Sequence, residues 1–188
     1  MGPKGPAILI MAVIATVGAA NANSFQTVAE VDAYFVNRVP VASREEWTDA
    51  DSEDKDAAVI MATIQMTALI CWASYPTNLT QALPFPRASL LAKNELEYVP
   101  NDVIPQEIKN AHAEFSRYLL LDERLDDSDV IKLGLQKVKA GPIDIQFLQK
   151  YPVTHQPPVI PYSIINMIPS SWIEYVEDQR NNIMLQRY

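Results

Sequence analysis

The stretch SEDKDAAVIMATIQMTALICWA, residues 52–73, decides the fold class. Its acids stand in the first turns, where the dipole of a helix favours negative charge, and Asp51 or Ser52 can cap its start. Small and apolar side chains recur along it at helical spacing: Val59, Ala62, Thr63, Met66, Leu69, Ile70 and Ala73. This periodicity predicts a helix over about 52–73 that turns one stripe toward a core.

Two further helices are predicted on either side of this stretch. Thr27-Val28-Ala29-Glu30 is a capping box, which opens a helix over about 27–38 that Pro40 ends. Pro105 stands where the first turn of a helix tolerates proline, and this helix runs to about residue 124. Its apolar face consists of Ile108, Ala111, His112, Phe115, Tyr118 and Leu119. Three helices, each with an apolar face, indicate a helical bundle.

The rest of the chain is extended or irregular in its pattern. Residues 74–104 contain four prolines and predict a long, partly extended connection. Residues 133–147 predict a β-hairpin, because apolar and polar residues alternate in their second half. A short apolar helix is predicted at 162–168, and the amphipathic stretch 172–188 is predicted to be an appendage that can form a helix. The fold class is therefore mainly α: a small helical bundle core with a β-hairpin or small sheet and long proline-rich arms.

Residues 1–23, MGPKGPAILIMAVIATVGAANAN, have two interpretations. A positive charge, the apolar run Ala7–Val17 and the small residues Ala20–Ala22 resemble a secretory signal peptide with its cleavage site. Alternatively, residues 11–17 are the first strand of the domain and the small residues are a link. The single cysteine, Cys71, cannot form an internal disulfide and gives export no support. The apolar run is too short and too rich in Ala and Gly for a transmembrane helix.

The net charge of −8 is concentrated in two short segments. Residues 44–56 carry seven acids and two bases, and residues 122–129 carry five acids and one base. We interpret both as solvated loops and helix ends. A surface this acidic repels phosphate backbones and disfavours non-specific binding of nucleic acid.

The chain lacks the residue patterns of an enzyme or a metal site. His112 lies on an apolar helix face and is predicted to be a core histidine, and His155 lies in a proline-rich segment without acidic or cysteine neighbours. No histidine pair has ligand spacing, and residues 126–129 lack the glycine and the distal glutamate of a calcium loop. Neither a glycine-rich phosphate loop nor a nucleophile motif occurs. We therefore predict no catalytic residue, no cofactor and no metal.

A series of short motifs carries a resemblance to a known family. In chain order they are Ala22-Asn23-Ser24-Phe25, Val28–Phe35, Trp47-Thr48 in an acidic stretch, Gln81–Arg87, Ile104–Ala111 and Val138–Ile145. Over about residues 9–168 the chain resembles a family of tailed-bacteriophage proteins labelled DnaT-like single-stranded-DNA-binding. It is also similar to the head-to-tail connector, or adaptor, proteins of phage virions. Phe85 is a conservative departure, since the family usually has a tryptophan there.

The resemblance implies a structural protein of the virion without catalytic activity. Such a protein is assembled in the host cytoplasm, forms a twelvefold ring at the head–tail interface and extends the DNA channel. Its partners would be copies of itself, the portal protein and the next tail protein, of nozzle or tail-terminator type. Genomic DNA would pass without specific binding, and no membrane would be involved. The implied adaptor core is 11–170, with extensions at 1–10 and 171–188.

Two alternatives stand beside the adaptor: a single-stranded-DNA-binding protein, and an exported domain with a cleaved signal peptide. Tyr75, Phe85, Tyr98 and Tyr118 could stack on bases, but few basic residues surround them, which favours packing beneath the long connection. For the adaptor, contacts with other subunits or the portal are predicted for nine residues: Leu83, Phe85, Arg87, Gly141, Pro158, Ile160, Trp172, Tyr175 and Tyr188.

Overall fold

A computed structural model describes residues 12–94, 96–121 and 158–177, together with the backbone of two strands at 137–140 and 143–146. The helices are α1 (Val28–Phe35), α2 (Val41–Thr48), α3 (Ser52–Leu69), α4 (Gln106–Leu119) and α5 (Tyr162–Ile165), with a 3-10 turn at Ser170–Trp172. The strands are β1 (Ile70–Trp72), β2 (Tyr75–Pro76), β3 (Arg87–Ala88), β4 (Lys137–Ala140), β5 (Ile143–Gln146) and β6 (Ile173–Val176). The predicted class, mainly α with small sheets, is confirmed.

Helices α3 and α4 pack against each other at the centre of the domain. The main core lies between them, the chain after β1 and the segment from Ile160 to Ile173. A second cluster joins Phe35 and Trp47 of the first two helices to the start of α3. Three two-stranded antiparallel sheets, β1–β6, β2–β3 and β4–β5, complete the described fold. The predicted hairpin is thus present, although its turn at residues 141 and 142 lies outside the described residues.

The capping box that opens α1 has the predicted geometry. The Glu30 amide donates to Thr27 Oγ1 at 3.3 Å, and the Thr27 amide donates to Glu30 Oε2 at 2.8 Å. Pro40 does not merely end this helix, because it precedes a helix that the sequence did not predict. Within the acidic segment 44–56, Trp47 is fully buried and its indole donates to Asp32 Oδ1 at 2.8 Å. The sequence predicted solvated loops and helix ends for this segment. The tertiary contact of Trp47 instead accompanies a helix, α2, over its first part.

Helix α3 ends four residues earlier than its sequence predicts. Ile70–Trp72 leaves the helix and pairs with β6, with Ile70 opposite Val176 and a bulge after Cys71. In the described part of the C-terminal stretch, Ile173–Val176 is correspondingly a strand rather than part of a helix, and residues 178–188 lie outside the described residues. Both β1 and β6 are rich in β-branched and aromatic residues. These two distant segments therefore form an antiparallel strand pair with each other instead of extending local helices.

The first described residues form no strand, so the predicted strand at 11–17 is wrong over residues 12–17. Asn23 satisfies the backbone of Ile14 as a neighbouring strand would. The Asn23 Oδ1 accepts from the Ile14 amide at 2.6 Å, and the backbone amide of Asn23 donates to the Ile14 carbonyl at 2.9 Å. Ala22 is buried, and the Ala19 carbonyl accepts from the Ala82 amide at 3.1 Å. Of the three residues that resemble a cleavage site, Ala22 therefore packs within the folded domain, while Ala20 and Asn21 are exposed.

His112 is a core histidine, as predicted, and is fully buried between α3, α4 and the chain before α1. Its Nε2 lies 3.0 Å from the Val59 carbonyl oxygen and 2.8 Å from Thr63 Oγ1, and its Nδ1 lies 3.1 Å from Gln26 Nε2. Because a carbonyl only accepts, we assign the proton to Nε2, and Nδ1 then accepts from the Gln26 amide. Burial lowers the pKa of His112 to about 4.

The depressed pKa of His112 predicts a loss of stability in mild acid. The neutral ring is favoured in the folded state, so its contribution is complete above pH 6.5 and disappears as the pH falls toward 4. Between pH 7 and pH 5 we expect this residue to remove about 2 kcal/mol from the free energy of unfolding. Urea titrations of wild type and His112→Gln at both pH values measure it. The variant should be less stable at pH 7 but lose less on acidification; equal losses would contradict the assignment.

Candidate interaction surface

The connection between β1 and α4, residues 74–104, is an ordered platform rather than a loose arm. Phe85 lies fully buried beneath it, edge-on to Phe25 and Trp72 with ring centroids 6.1 and 4.9 Å away. Strands β2 and β3 pair within it, and a backbone bridge joins Leu91 to Tyr98. The Trp172 indole holds its far side by donating to the Leu91 carbonyl at 2.6 Å. The platform therefore has a fixed shape with few repeating backbone hydrogen bonds.

Arg87 supplies the polar anchor of the platform from within. Its guanidinium donates to the carbonyls of Ala73 at 2.7 Å, Pro84 at 3.0 Å and Trp72 at 3.1 Å, and also to that of Ser74. Burial lowers the pKa of Arg87 below its usual value. The planar fork of arginine satisfies in one place several carbonyls that an irregular chain would otherwise bury without partners.

Two asparagine-stabilised turns project leucines from the platform. Asn78 Oδ1 accepts from the Thr80 amide at 3.1 Å, and Leu79 between them is 99% exposed. Asn94 Oδ1 accepts from the Leu96 amide at 3.1 Å, and Leu96 is 86% exposed. Short asparagine side chains commonly fix such turns. The large apolar side chains are thus held outward by local hydrogen bonds.

Exposed tyrosines extend this apolar surface. Tyr75 and Tyr98 are both more than half exposed. The Tyr75 hydroxyl lies 3.2 Å from Ser89 Oγ, which fixes its ring against the base of the platform. Single exposed apolar residues are ordinary on protein surfaces, but several on one ordered segment indicate a contact surface. We call Tyr75, Leu79, Leu96 and Tyr98 the apolar rim.

The structure divides the nine predicted contact residues into three groups. Four are buried in the chain itself: Phe85, Arg87, Ile160 and Trp172. Leu83 and Pro158 are half-buried, and Tyr175 is exposed on β6. Gly141 and Tyr188 lie outside the residues whose side chains are described. The contacts with other subunits or the portal stay a prediction for all nine residues, and the four buried ones fill the interior of their own chain.

The apolar rim belongs to the predicted connection 74–104, but none of its four residues is among the nine predicted contacts. Its sequence signal is a leucine one or two positions after an asparagine, as in Asn78-Leu79-Thr80 and Asn94-Glu95-Leu96. Likewise, residues 171–177, assigned from the sequence to an extension, contribute buried Trp172 and Ile173 to the core.

A partly buried ionic cluster joins α1, α2 and α4. Glu114, on α4, accepts from the Tyr34 hydroxyl at 2.9 Å and pairs with Arg38 and Arg117. Arg117 also pairs with Glu46 of α2. Burial, together with the Glu114 carboxylate, raises the pKa of Tyr34 to about 12. Every charge in this cluster has a partner, so the arrangement is suited to fastening helices together.

Within the described residues, no group of three or more His, Cys, Asp or Glu side chains could hold a metal ion. In the same part of the chain, no helix is both long enough and apolar enough to cross a membrane.

One protein family matches most of this chain. The family described as "Putative DnaT-like ssDNA binding protein" matches residues 10–183, a span that includes every helix and strand given above. The chain belongs to this family. No curated protein and no solved structure matches it. The family part of the resemblance seen in the sequence is confirmed, while the connector part stays a prediction.

Replacing the polar anchor should destabilise this family member far more than removing an exposed cation. We expect Arg87→Lys to lower the free energy of unfolding by about 3 kcal/mol, because an ammonium cannot reach carbonyls on opposite sides of the fork. The control Lys93→Ala, at an exposed position, should change it by less than about 0.5 kcal/mol. Urea unfolding followed by tryptophan fluorescence measures both, and similar values for the two variants would refute the anchor.

Proposed function

We propose that this chain is a structural subunit without catalytic activity: a head-to-tail adaptor that forms a ring between portal and tail and extends the DNA channel. The observation that carries the proposal is the division of the described surface, where several large apolar side chains are exposed and most cations are paired or buried. The apolar rim offers protein contacts on a fixed frame, with Leu79 and Leu96 almost completely exposed. An adaptor needs such contacts with its neighbours and with the rings above and below it.

Most of the described basic residues are paired with carboxylates or buried. Seven lysine and arginine side chains are described, against fifteen aspartate and glutamate side chains. Four of the seven form ion pairs, in Arg38–Glu114, Lys55–Asp32, Lys109–Glu30 and Arg117–Glu46. Arg87 is buried against carbonyls, which leaves Arg44 and Lys93 as the described cations in neither role. Such a surface suits the wall of a DNA channel that must let the duplex slide.

Single-stranded-DNA binding is the second candidate, and the family description favours it over the adaptor. The structural feature that supports DNA binding is the pair of exposed tyrosines, Tyr75 and Tyr98. They lie on the same platform as Lys93, an exposed cation without an ion pair. Aromatic rings beside a cation are the elements on which single-stranded bases stack. The large aromatic side chains of the core offer no stacking surface, since Phe25, Phe35, Trp47 and Phe85 are each at most 1% exposed.

The adaptor predicts assembly that depends on the apolar rim. Purified chain mixed with its cognate portal should give a ring-sized complex by mass photometry. Leu79→Ser/Leu96→Ser should keep the wild-type unfolding free energy within about 0.5 kcal/mol, because both positions are exposed, but should weaken portal or tail-protein binding about tenfold. The matched control is Thr80→Ser, on the same turn. A wild-type chain that stays monomeric with portal would count against the adaptor.

The second candidate predicts a different outcome for the same preparation. Gel-shift titration with a 30-nucleotide oligomer at 50 and 200 mM salt should show no tight complex if the chain is an adaptor. Binding that weakens steeply with salt and is reduced by Tyr98→Ala and Lys93→Ala, while Leu79→Ser leaves it unchanged, would establish the DNA-binding function instead.

A further inference from the structure

A short hairpin within the platform leaves one strand edge without a partner. Leu91 and Tyr98 lie opposite each other in an antiparallel bridge, next to the bond from the Ala92 amide to the Glu97 carbonyl at 2.7 Å. In such a pair the amide and the carbonyl of both residues point away from the ladder. The Trp172 indole donates to the Leu91 carbonyl at 2.6 Å, but no hydrogen bond within the described chain reaches the Tyr98 amide or carbonyl. We call this open backbone the Tyr98 edge.

The two faces of the hairpin have different surroundings. Leu90 and Val99 pack in the main core, where Leu90 is 2% exposed. Leu91 and Tyr98 point to the other face, because side chains alternate along a strand, and they are 37% and 65% exposed. Leu96, at the turn of the hairpin, is also exposed. An extended segment that pairs with the Tyr98 edge would lay side chains beside this exposed apolar face.

The charge along the Tyr98 edge is acidic. Glu97 and Asp102 are exposed, and neither forms an ion pair within the described chain. Lys93 is the only exposed cation described between residues 74 and 104, since Arg87 is buried. Because Glu97 adjoins Tyr98, the neighbour of the residue that pairs with Tyr98 would meet this carboxylate. Lysine or arginine is favoured there, and an acid is repelled.

The same acids disfavour two other occupants of the edge. Pairing of two Tyr98 edges would bring Glu97 and Asp102 of both copies into one short contact. Pairing with β6 of another copy would meet Glu174, which is exposed and acidic as well. A nucleic-acid strand would bring phosphates, which acidic surfaces repel. The occupant that fits both the open backbone and the charge is an extended, basic segment of a different protein.

We propose that the Tyr98 edge binds an extended segment of a partner protein by antiparallel strand addition. One residue of the segment exchanges amide and carbonyl hydrogen bonds with Tyr98 and lays an apolar side chain beside Leu91 and Tyr98. The next residue is lysine or arginine and lies beside Glu97. Main-chain bonds supply the affinity of such contacts, and alternate side chains supply the selectivity. The inference rests on the proposed protein contacts of the platform and names the chemistry of their partner.

Peptide binding to the full chain tests the strand addition. The probe is a fluorescein-labelled peptide, KVKVKVK, followed by fluorescence anisotropy. Tyr98→Pro removes an amide donor that the fold does not use, and Glu97→Lys reverses the charge; each should weaken binding about tenfold or more. Tyr98→Ala keeps the donor and should weaken binding less than Tyr98→Pro. Asp49→Lys, at an exposed acid after α2, changes the net charge equally and should bind like wild type.

Reversal of the peptide charge provides a gain of binding that misfolding cannot produce. The peptide EVEVEVE should bind Glu97→Lys more tightly than it binds wild type, because the lysine then faces an acid. If EVEVEVE binds wild type as tightly as KVKVKVK does, the assigned partner chemistry is overturned.

Hydrogen exchange provides a second measurement on the unsubstituted chain. The Tyr98 amide should exchange fast in the free protein and at least about tenfold more slowly with saturating KVKVKVK. The Val99 amide donates to the Leu90 carbonyl at 2.8 Å and should be protected in both states, which makes it the internal control. A Tyr98 amide whose exchange does not change at saturation would overturn strand addition.

The outcomes separate the inference from the adaptor. If KVKVKVK does not bind, yet Leu79→Ser/Leu96→Ser still weakens portal or tail-protein binding, the strand addition is wrong and the adaptor stands. If the peptide binds as described but the chain stays monomeric with portal, the edge stands and the adaptor is wrong. If the 30-nucleotide oligomer slows exchange at Tyr98 and the peptide does not, Tyr98 serves DNA binding and the inference is overturned.

Discussion

The packing of α3 on α4 around His112 is the contact on which the other described elements depend. The ring accepts from Gln26 on one side and donates toward Val59 and Thr63 on the other. Gln26 also donates to the Lys109 carbonyl at 2.7 Å, and Thr63 Oγ1 accepts from the Phe25 amide at 3.3 Å. These bonds fix the chain before α1 against both central helices. A buried polar network of this kind specifies one register, because any slip leaves donors and acceptors without partners.

The same logic organises the platform, where regular secondary structure is scarce. A buried arginine takes over the hydrogen bonds that a sheet or helix would provide to four carbonyls. Phe85 and Trp172 fill the apolar space on either side. With its base fixed in this way, the platform can hold Leu79 and Leu96 in water at a fixed position. A fixed base and exposed apolar side chains are the features that the proposed contact surface requires.

Charge is also divided between interior and surface. Cations pair with carboxylates that tie helices together, as Arg117 does with Glu46 and Glu114, while most of the other acids face solvent. That division weighs against tight phosphate binding by the described surface and supports the proposed use of this surface for protein contacts. The family description points the other way, so the balance between assembly and DNA binding turns on whether the exposed tyrosines meet bases or neighbouring subunits.

The sequence by itself determined the elements that depend on short-range signals. The capping box placed the start of α1, periodicity placed α3 and α4, alternation placed the hairpin, and the apolar face identified His112 as a core residue. Only the tertiary structure decided the rest: the early end of α3, the strand at Ile173–Val176, the helix around Trp47 and the burial of Arg87. The reason is distance along the chain. Caps and periodicity act within a few residues, whereas Ile70 meets Val176 and Arg87 meets the end of β1 only after the chain has folded.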